Sequence, residues 1–388
     1  MKYVDQLPVA GRRVFVRVDF NVPHDGGRIQ DDTRIREALP TILYLMDQKA
    51  KIILGTHLGR PKGHDTAESL VPVAEKLAEL LGRPVILPED CVGDAAKKLA
   101  HDLREGDVLL LENLRFHKEE EANDPVFAQA LAQLAEVYVN DAFGTMHRAH
   151  ASTVGMAKHF KEKGAGLLVR KELEYLSPLL GRPARPFVAV LGGAKVSDKI
   201  VLIEHLVGKV DELLLGGGLA YTFLKAMGRP VGKSKCEDDK LYVAQRILQK
   251  AKDNDVTIRL PVDHRTADKI AADAVATVST QVPEGKMGLD IGPETARQFG
   301  EVIKRSKTVF WNGPMGVFEY KPFAEGSLAV ARAIADAEAV SIVGGGESLA
   351  AVKMAGVGDR ITHLSTGGGA ALEFLEGKGL PGLSALEG

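Results

Sequence analysis

The chain has 388 residues, 45% of them hydrophobic and 26% charged, with a formal net charge of −2. That length predicts about two to three domains with ample core, and the near-neutral balance argues against a nucleic-acid binder held by overall charge while allowing a local basic patch. The only cysteines, Cys91 and Cys236, imply no disulfide framework and a reducing compartment. The start MKYVDQLPV lacks a signal-peptide core and no run of 18 apolar residues exists, so a cytoplasmic protein without membrane contact is the expectation.

In chain order, short apolar runs alternate with longer amphipathic ones, the pattern of a parallel α/β protein. RVFVRVDF (13–20) predicts a strand that ends at Asp19 and Asn21, short polar groups suited to gripping a hydroxyl or carboxylate. Asp31-Asp32-Thr33 can cap a helix over 33–48, kinked or interrupted near Pro40, with Arg34 in its first turn. A strand at 50–56 leads into GTHLGRPKG (55–63), which places His57 and Arg60 in a glycine–proline loop. Strands are predicted at PVILPE (84–89) and DVLLLEN (107–113), the latter followed by Arg115. A helix over 124–136 precedes a strand in VYVNDAF (137–143), and FGTMHRAHAS then supplies His147, Arg148 and His150. Singly, each of these cations reads as surface charge. Together they recur at strand ends, where open α/β sheets bind ligands, and arginine's fork suits phosphate or carboxylate.

GAGLLVRKELEYLSPLLGRPARP (164–186) opens on glycines and closes on prolines around a helical stretch, as a connecting helix between domains would. Beyond it, VAVLGGAKVSDKI (188–200) joins an apolar strand, a glycine turn and two lysines four residues apart. The spacing predicts Lys195 and Lys199 on one face of the first turns of a helix, where the dipole and their mutual repulsion disfavour them unless an anion binds. Local pairing with Asp198 on a solvated helix start is the competing explanation. Further apolar runs end in glycines and enter helical patterns at ELLLGGGLAYTFL (212–224), VSIVGGGESLAAV (340–352) and THLSTGGGAALEFL (362–375). Such loops offer backbone N–H groups to phosphate. The first half thus reads as an anion receptor and the second as a nucleotide-phosphate cradle, and an enzyme joining the two would transfer a phosphoryl group. GRPVGKS (228–234) misses the P-loop spacing by one residue and follows a helix-like stretch, and none of the glycine runs completes G-x-G-x-x-G. A non-catalytic phosphometabolite sensor is the alternative from another class.

RVDFNVP, DDTRI, GTHLGRP, LENLRFH, NDAFGTMHRAHAS, LGGAKVSDKI, WNGPMGVFE and STGGGAALEFLEGK resemble the phosphoglycerate kinase family, in the family's order from residue 17 to residue 378. The resemblance implies two doubly wound parallel-sheet, Rossmann-like α/β domains with a hinge-closing cleft. The expected parts are a phosphoglycerate-binding domain at 1–165, an interdomain helix at 166–182, a nucleotide-binding domain at 183–375, and a tail at 376–388 packing back on the first domain. It implies reversible, Mg²⁺-dependent transfer from 1,3-bisphosphoglycerate to ADP, giving 3-phosphoglycerate and ATP, by a monomer.

Carried over by motif, Asp19, Asn21, Arg34, His57, Arg60, Arg115 and Arg148 would hold the phosphoglycerate, with His147 and His150 in the same patch. Gly193, Lys195 and Lys199 would meet the nucleotide phosphates, with Asn312 near them. Gly216, Gly217, Leu289, Gly313, Pro314 and Val317 would frame base and ribose, with Glu319 on the ribose hydroxyls. The loop carrying Gly345, Gly346, Glu347 and Ser348 would meet the transferring group and the metal. Arg34 and Lys195 are expected to flank that group, with the Gly368 and Gly369 amides adding hydrogen bonds. Two departures stand out. Glu347 occupies a position where many members have Asp, so its hold on Mg²⁺ could be direct or through water. Met146 stands where a smaller residue is expected.

Overall fold

Apolar runs bounded by glycine and aspartate become the strands of two all-parallel sheets in the computed structural model, which describes residues 1–387. The chain divides into two units, one comprising Met1–Glu174 with the segment from Gly379 onward, the other Tyr175–Lys378. The helix Leu167–Leu180 contributes to both, and Pro178 lies inside it.

In the first unit the strands are β1 (Arg13–Arg17), a hairpin of β2 (His24–Asp25) and β3 (Arg28–Ile29), β4 (Lys51–Gly55), β5 (Val108–Leu110), β6 (Val137–Asn140) and β7 (Lys163–Ala165). The parallel sheet has the order β5-β4-β1-β6-β7. The chain therefore winds outward from β1 in one direction and then, from β6, in the other. The reversal falls between β1 and β6, the place where the carboxyl ends of an open α/β sheet form a ligand crevice. Val14, Phe15 and Val16 of β1 are fully buried, as expected of a strand covered on both faces. PVILPE forms no strand: Ile86 makes only a single bridge to Leu109. The helix Thr33–Asp47 runs unbroken through Pro40, and the predicted 124–136 helix is realised as Pro125–Ala132.

The second unit holds β8 (Phe187–Leu191), β9 (Glu212–Leu215), β10 (Thr257–Arg259), β11 (His264–Ala267), β12 (Thr277–Ser279), β13 (Met287–Ile291), β14 (Thr308–Asn312), β15 (Val340–Gly344) and β16 (His363–Ser365). Its parallel sheet has the order β10-β9-β8-β14-β15-β16, so the reversal lies between β8 and β14. A separate antiparallel sheet, β12-β11-β13, is absent from the sequence-based expectation. Trp311 of β14 is fully buried in the core with Val190, Val343 and Phe299, and its Nε1 donates to the Gly313 carbonyl at 2.8 Å.

The C-terminal segment packs on the first unit, where the Gly382 N–H donates to the Met146 carbonyl at 2.8 Å. Met146 is fully buried, and a Cβ at Gly382 would lie 2.9 Å from its Cα. The larger Met146 side chain is accommodated because the segment lying on it presents a glycine.

Candidate functional site

In the first unit the cations are brought together at the carboxyl ends of the strands. Asp19 and Asn21 follow β1, and Arg34 reaches them from the first turn of its helix, donating from Nη1 to Asp19 Oδ2 at 2.7 Å. The Asn21 side chain accepts from the Gly59 N–H at 2.9 Å, tying the loop after β4 to the end of β1. In that loop His57 is buried and Arg60 is exposed. Arg115 lies in the 3-10 turn Leu114–Phe116 that follows β5, and its Nη1 donates to the Gly59 carbonyl at 2.7 Å. Its buried Nε makes no hydrogen bond and stands 3.3 Å from Glu121 Oε1. Glu121 thus already offsets part of the Arg115 charge, and the rest of the guanidinium faces the crevice of cations around it. After β6, Arg148 Nε donates to His147 Nε2 at 3.2 Å.

The electrostatics follow from packing cations with little water. Burial holds the His57 ring well below the ordinary histidine range, and the Arg17, Arg115 and Arg34 guanidiniums and His150 add to the shift. Burial, with Arg17, Arg115, Arg148 and His147, lowers His150 to about 4. The two rings are therefore neutral beside permanent cations. Burial also lowers Arg115, partly offset by Glu121. The crevice offers fixed guanidinium charge and neutral imidazole, a donor set matched to a small phosphate or carboxylate.

In the second unit the corresponding strand ends are backbone. Gly192 and Gly193 follow β8, and their N–H groups donate to the Asn312 and Pro314 carbonyls, each at 3.0 Å. A Cβ at Gly192 would lie 2.0 Å from the Pro314 oxygen, so only glycine lets the two loops approach. Gly313 needs a positive φ of 92° as well, and its N–H donates to Ser348 Oγ at 2.6 Å. Gly217 after β9 donates to the Met315 carbonyl at 2.9 Å, and a Cβ at Gly216 would strike Met315 Sδ at 2.5 Å. Leu289 is nearly buried in a cluster with Phe323, against which Val317 packs, and Glu319 is exposed just beyond. Val317 N–H donates to the Leu289 carbonyl at 2.8 Å. Lys199 Nζ donates to Asn312 Oδ1, and the Asn312 amide donates to the Gly344 carbonyl at 2.7 Å. Burial lowers Lys199, while Glu347 and Asp198 oppose that shift. Glu347 therefore sits in the field of Lys199, exposed in the first turn of the helix Gly346–Ala355 whose N-cap is Gly345. Gly368, at a φ of 51°, and Gly369 open the helix Gly368–Leu375, whose first amides have no intrahelical acceptor.

The paired-lysine expectation needs correction. The helix begins at Ile200 with Lys199 as its N-cap, so Lys195 is not on a helical face at all. It lies exposed in the preceding loop, which turns at 196–199 with the Lys199 N–H donating to the Val196 carbonyl at 2.9 Å, anchored by the buried Val196 and by Glu237, which accepts from Ser197 N at 2.9 Å. The i, i+4 repulsion therefore does not arise. Ser348 is fully buried with its hydroxyl committed to Gly313, so it braces the loop. In GRPVGKS the Ser234 hydroxyl accepts from Gly288 N–H at 2.9 Å, and no strand precedes the motif. Sequence reasoning does not single out Arg17, Glu120 or Ser152. Arg17 does carry a signal, an arginine inside an apolar parallel strand, and it is 1% exposed.

Magnesium can be weighed against this arrangement. Mg²⁺ keeps several waters and takes one or two carboxylates plus substrate phosphates. Glu347 supplies one exposed carboxylate beside Lys199, and among the described residues no cluster of three metal-ligating side chains surrounds it. The residues fit an ion carried largely by nucleotide and water.

Comparison with known proteins shows the family and the fold. The family model described as phosphoglycerate kinase matches residues 4–378. A phosphoglycerate kinase of Anaeromyxobacter sp. (strain K) is 58% identical over 393 aligned residues, covering 100% of this chain and 99% of that protein. One from Clostridium botulinum (strain Hall) is 54% identical, covering 99% and 98%. Among solved structures, phosphoglycerate kinase from Coxiella burnetii superposes with a TM-score of 0.90 at 42% identity, covering 99% of this chain and 98% of that one. That from Pyrococcus horikoshii OT3 gives 0.88 at 35%, covering 100% and 98%. With two doubly wound units, an arginine-lined crevice and a glycine-built one, the chain belongs to the phosphoglycerate kinase family of phosphotransferases.

Proposed function

We propose that this chain catalyses reversible transfer of a phosphoryl group between 1,3-bisphosphoglycerate and ADP, yielding 3-phosphoglycerate and ATP. The observation that carries the reading is the cluster of Arg17, Arg34, Arg115 and Arg148 guanidiniums around the neutral His57 and His150 rings at the strand ends. It calls for an anion, and the relatives bearing this sequence pattern are phosphoglycerate kinases.

In this reading Asp19 and Asn21 take substrate hydroxyl or carboxylate groups, although each also has a bond within the unit. Arg34, His57, Arg60, Arg115, His147, Arg148 and His150 supply the anion contacts. The glycine loops at 193, 216–217 and 313–314, with Leu289, Val317 and Glu319, receive the nucleotide. Lys195 and Lys199, with Asn312 and the 345–348 loop, meet its phosphates, and Glu347 helps hold Mg²⁺ directly or through water. Bound Mg²⁺ would neutralise phosphate charge.

The forward step makes a bond from a β-phosphate oxygen of ADP to the acyl phosphorus and breaks the bond from that phosphorus to the carboxyl oxygen. The carboxylate leaves with the electron pair. The attacking oxygen is already ionised, so no side chain need remove a proton. What the protein supplies is positioning and charge. Arg34 and Lys195 neutralise the equatorial oxygens, and the Gly368 and Gly369 amides add donors. Because the substrates belong to different units in this reading, the reacting atoms must be brought to about 3–3.5 Å by closure. Solution scattering with neither, one and both substrates tests that hinge, and absence of compaction in the ternary complex would count against it.

The reaction itself is checked by ADP release from ATP and Mg²⁺, with and without 3-phosphoglycerate, while hydroxylamine traps acyl phosphate. Release that requires all three components, with hydroxamate formed, is expected. ATP hydrolysis indifferent to 3-phosphoglycerate would sink the assignment. The reading includes a cytoplasmic monomer, which light scattering at a mass near 41.7 kDa would support and a doubled mass would refute.

A further inference from the structure

Beneath the first-unit crevice runs a buried chain of polar groups. The Glu120 carboxylate is fully buried, and its Oε1 accepts the Ser152 hydroxyl proton at 2.5 Å while Oε2 accepts Ser152 N–H at 3.0 Å. With its single proton committed, the Ser152 oxygen has only lone pairs left to offer. Arg17 Nε donates to it at 2.8 Å. Arg17 Nη1 donates to the Val18 carbonyl, and Nη2 lies 3.1 Å from His57 Nδ1. Two of the guanidinium's corners are thus fixed, and the third is aimed at the ring.

A guanidinium can only donate. His57 Nδ1 must therefore be the acceptor and carry no proton. A ring charged on both nitrogens would set N–H against N–H at that distance. Arg17, Arg115, Arg34 and His150 all face His57 and disfavour that charge. The remaining proton belongs on Nε2.

We propose that Glu120 is a positioning residue: through Ser152 and Arg17 it fixes His57 as the neutral ring with its proton on Nε2, a donor for the anion held by this crevice. This rests on the reading that the crevice takes phosphoglycerate. The guanidinium donates whatever lies behind it, so Glu120 acts on its aim: by taking the Ser152 proton it leaves a lone pair toward Arg17 Nε, and without that bond the guanidinium is free to turn away from the ring. Ser152 itself is held in place, since its carbonyl accepts the Tyr138 hydroxyl at 2.7 Å. The competing role for Glu120 is to anchor the backbone after His150 through Ser152 N–H, without effect on the ring.

Long-range ¹H–¹⁵N spectra of the full chain labelled with ¹⁵N-histidine separate the two, with the His57 signals identified by their loss in His57→Gln. The wild type and Ser152→Thr should show the neutral Nε2–H pattern. Ser152→Ala and Glu120→Gln should show mixed tautomers, with KM for 3-phosphoglycerate raised about tenfold and KM for ATP unchanged. A wild-type ring that is charged or protonated on Nδ1 at neutral pH would overturn the proposal. So would a Ser152→Ala variant whose KM rises while the ring keeps its Nε2–H pattern, the signature of loop anchoring alone. If Glu120→Gln does not fold, the wild-type and Ser152 spectra still decide. A wild type without turnover would refute the functional reading, while the spectra would still decide the tautomer independently.

Discussion

The two crevices occupy equivalent places in two sheets of the same design, yet they are built from different materials. The first is made of side chains: Arg34, Arg115 and Arg148 around buried rings, on strand ends that are themselves well packed. The second is made of backbone, with Gly192, Gly217 and Gly313 brought so close to neighbouring peptides that a Cβ at each would lie under 3 Å from a carbonyl oxygen. A small, densely charged anion suits forked side chains with fixed charge. A nucleotide, with a flat base and a phosphate tail, suits bare amides and a shaped apolar wall. On the proposed function, the difference between the units is one of ligand shape and charge density imposed on a common topology.

The largest effect is expected at the lysine proposed to meet the transferring group. Lys195→Ala is expected to lower turnover by about 10²–10³ while nucleotide affinity changes far less, because the contribution proposed for it is made in the transition state. Steady-state rates beside equilibrium binding check this, and equal losses in both would remove Lys195 from that role. The next effect is structural. Gly192→Ala should destabilise the second unit by about 1–3 kcal/mol through overpacking against Pro314. Denaturant titration that finds no loss would show that the loops yield more readily than their contacts imply.

Glu347→Gln should raise the Mg²⁺ concentration for half-maximal rate about tenfold and leave 3-phosphoglycerate affinity alone. An unchanged Mg²⁺ requirement would place the ion elsewhere. The smallest effect concerns pH. His150 stays neutral in the folded protein down to about 4, whereas the unfolded chain takes up its proton near the ordinary histidine value of 6.5. Between those values the unfolded state binds more protons, so this residue makes stability rise with pH from about 4 to 6.5. His150→Gln should flatten that slope in urea melts across the window, and a slope identical to wild type would contradict the assignment.

Much of this is legible in sequence because strand ends in a parallel sheet carry their chemistry within a few residues. RVDFNVP, LENLRFH and the glycine runs fall where apolar strands stop, and the structure places them at strand ends. What escapes depends on contacts distant in sequence. Lys195 looks helical by spacing, but Ser197 is bonded to Glu237, 40 residues away, and the helix starts later. PVILPE has strand composition, yet it makes only one bridge to its neighbour. The antiparallel sheet escapes because β12 is short and mostly exposed, without an apolar run to announce it. Arg17 looks like the flank of a strand, since its partners Ser152 and Glu120 lie more than a hundred residues downstream.

The division of labour between the crevices is tested most directly by calorimetric titration of Lys199→Ala, beside wild type, with Mg·ATP and separately with 3-phosphoglycerate. Lys199 reaches Asn312 at the end of β14, within the glycine-built crevice. The account predicts nucleotide affinity weakened about 10- to 100-fold, the cost of losing a charged hydrogen bond, with 3-phosphoglycerate affinity unchanged. Loss of 3-phosphoglycerate affinity with nucleotide affinity intact would contradict it.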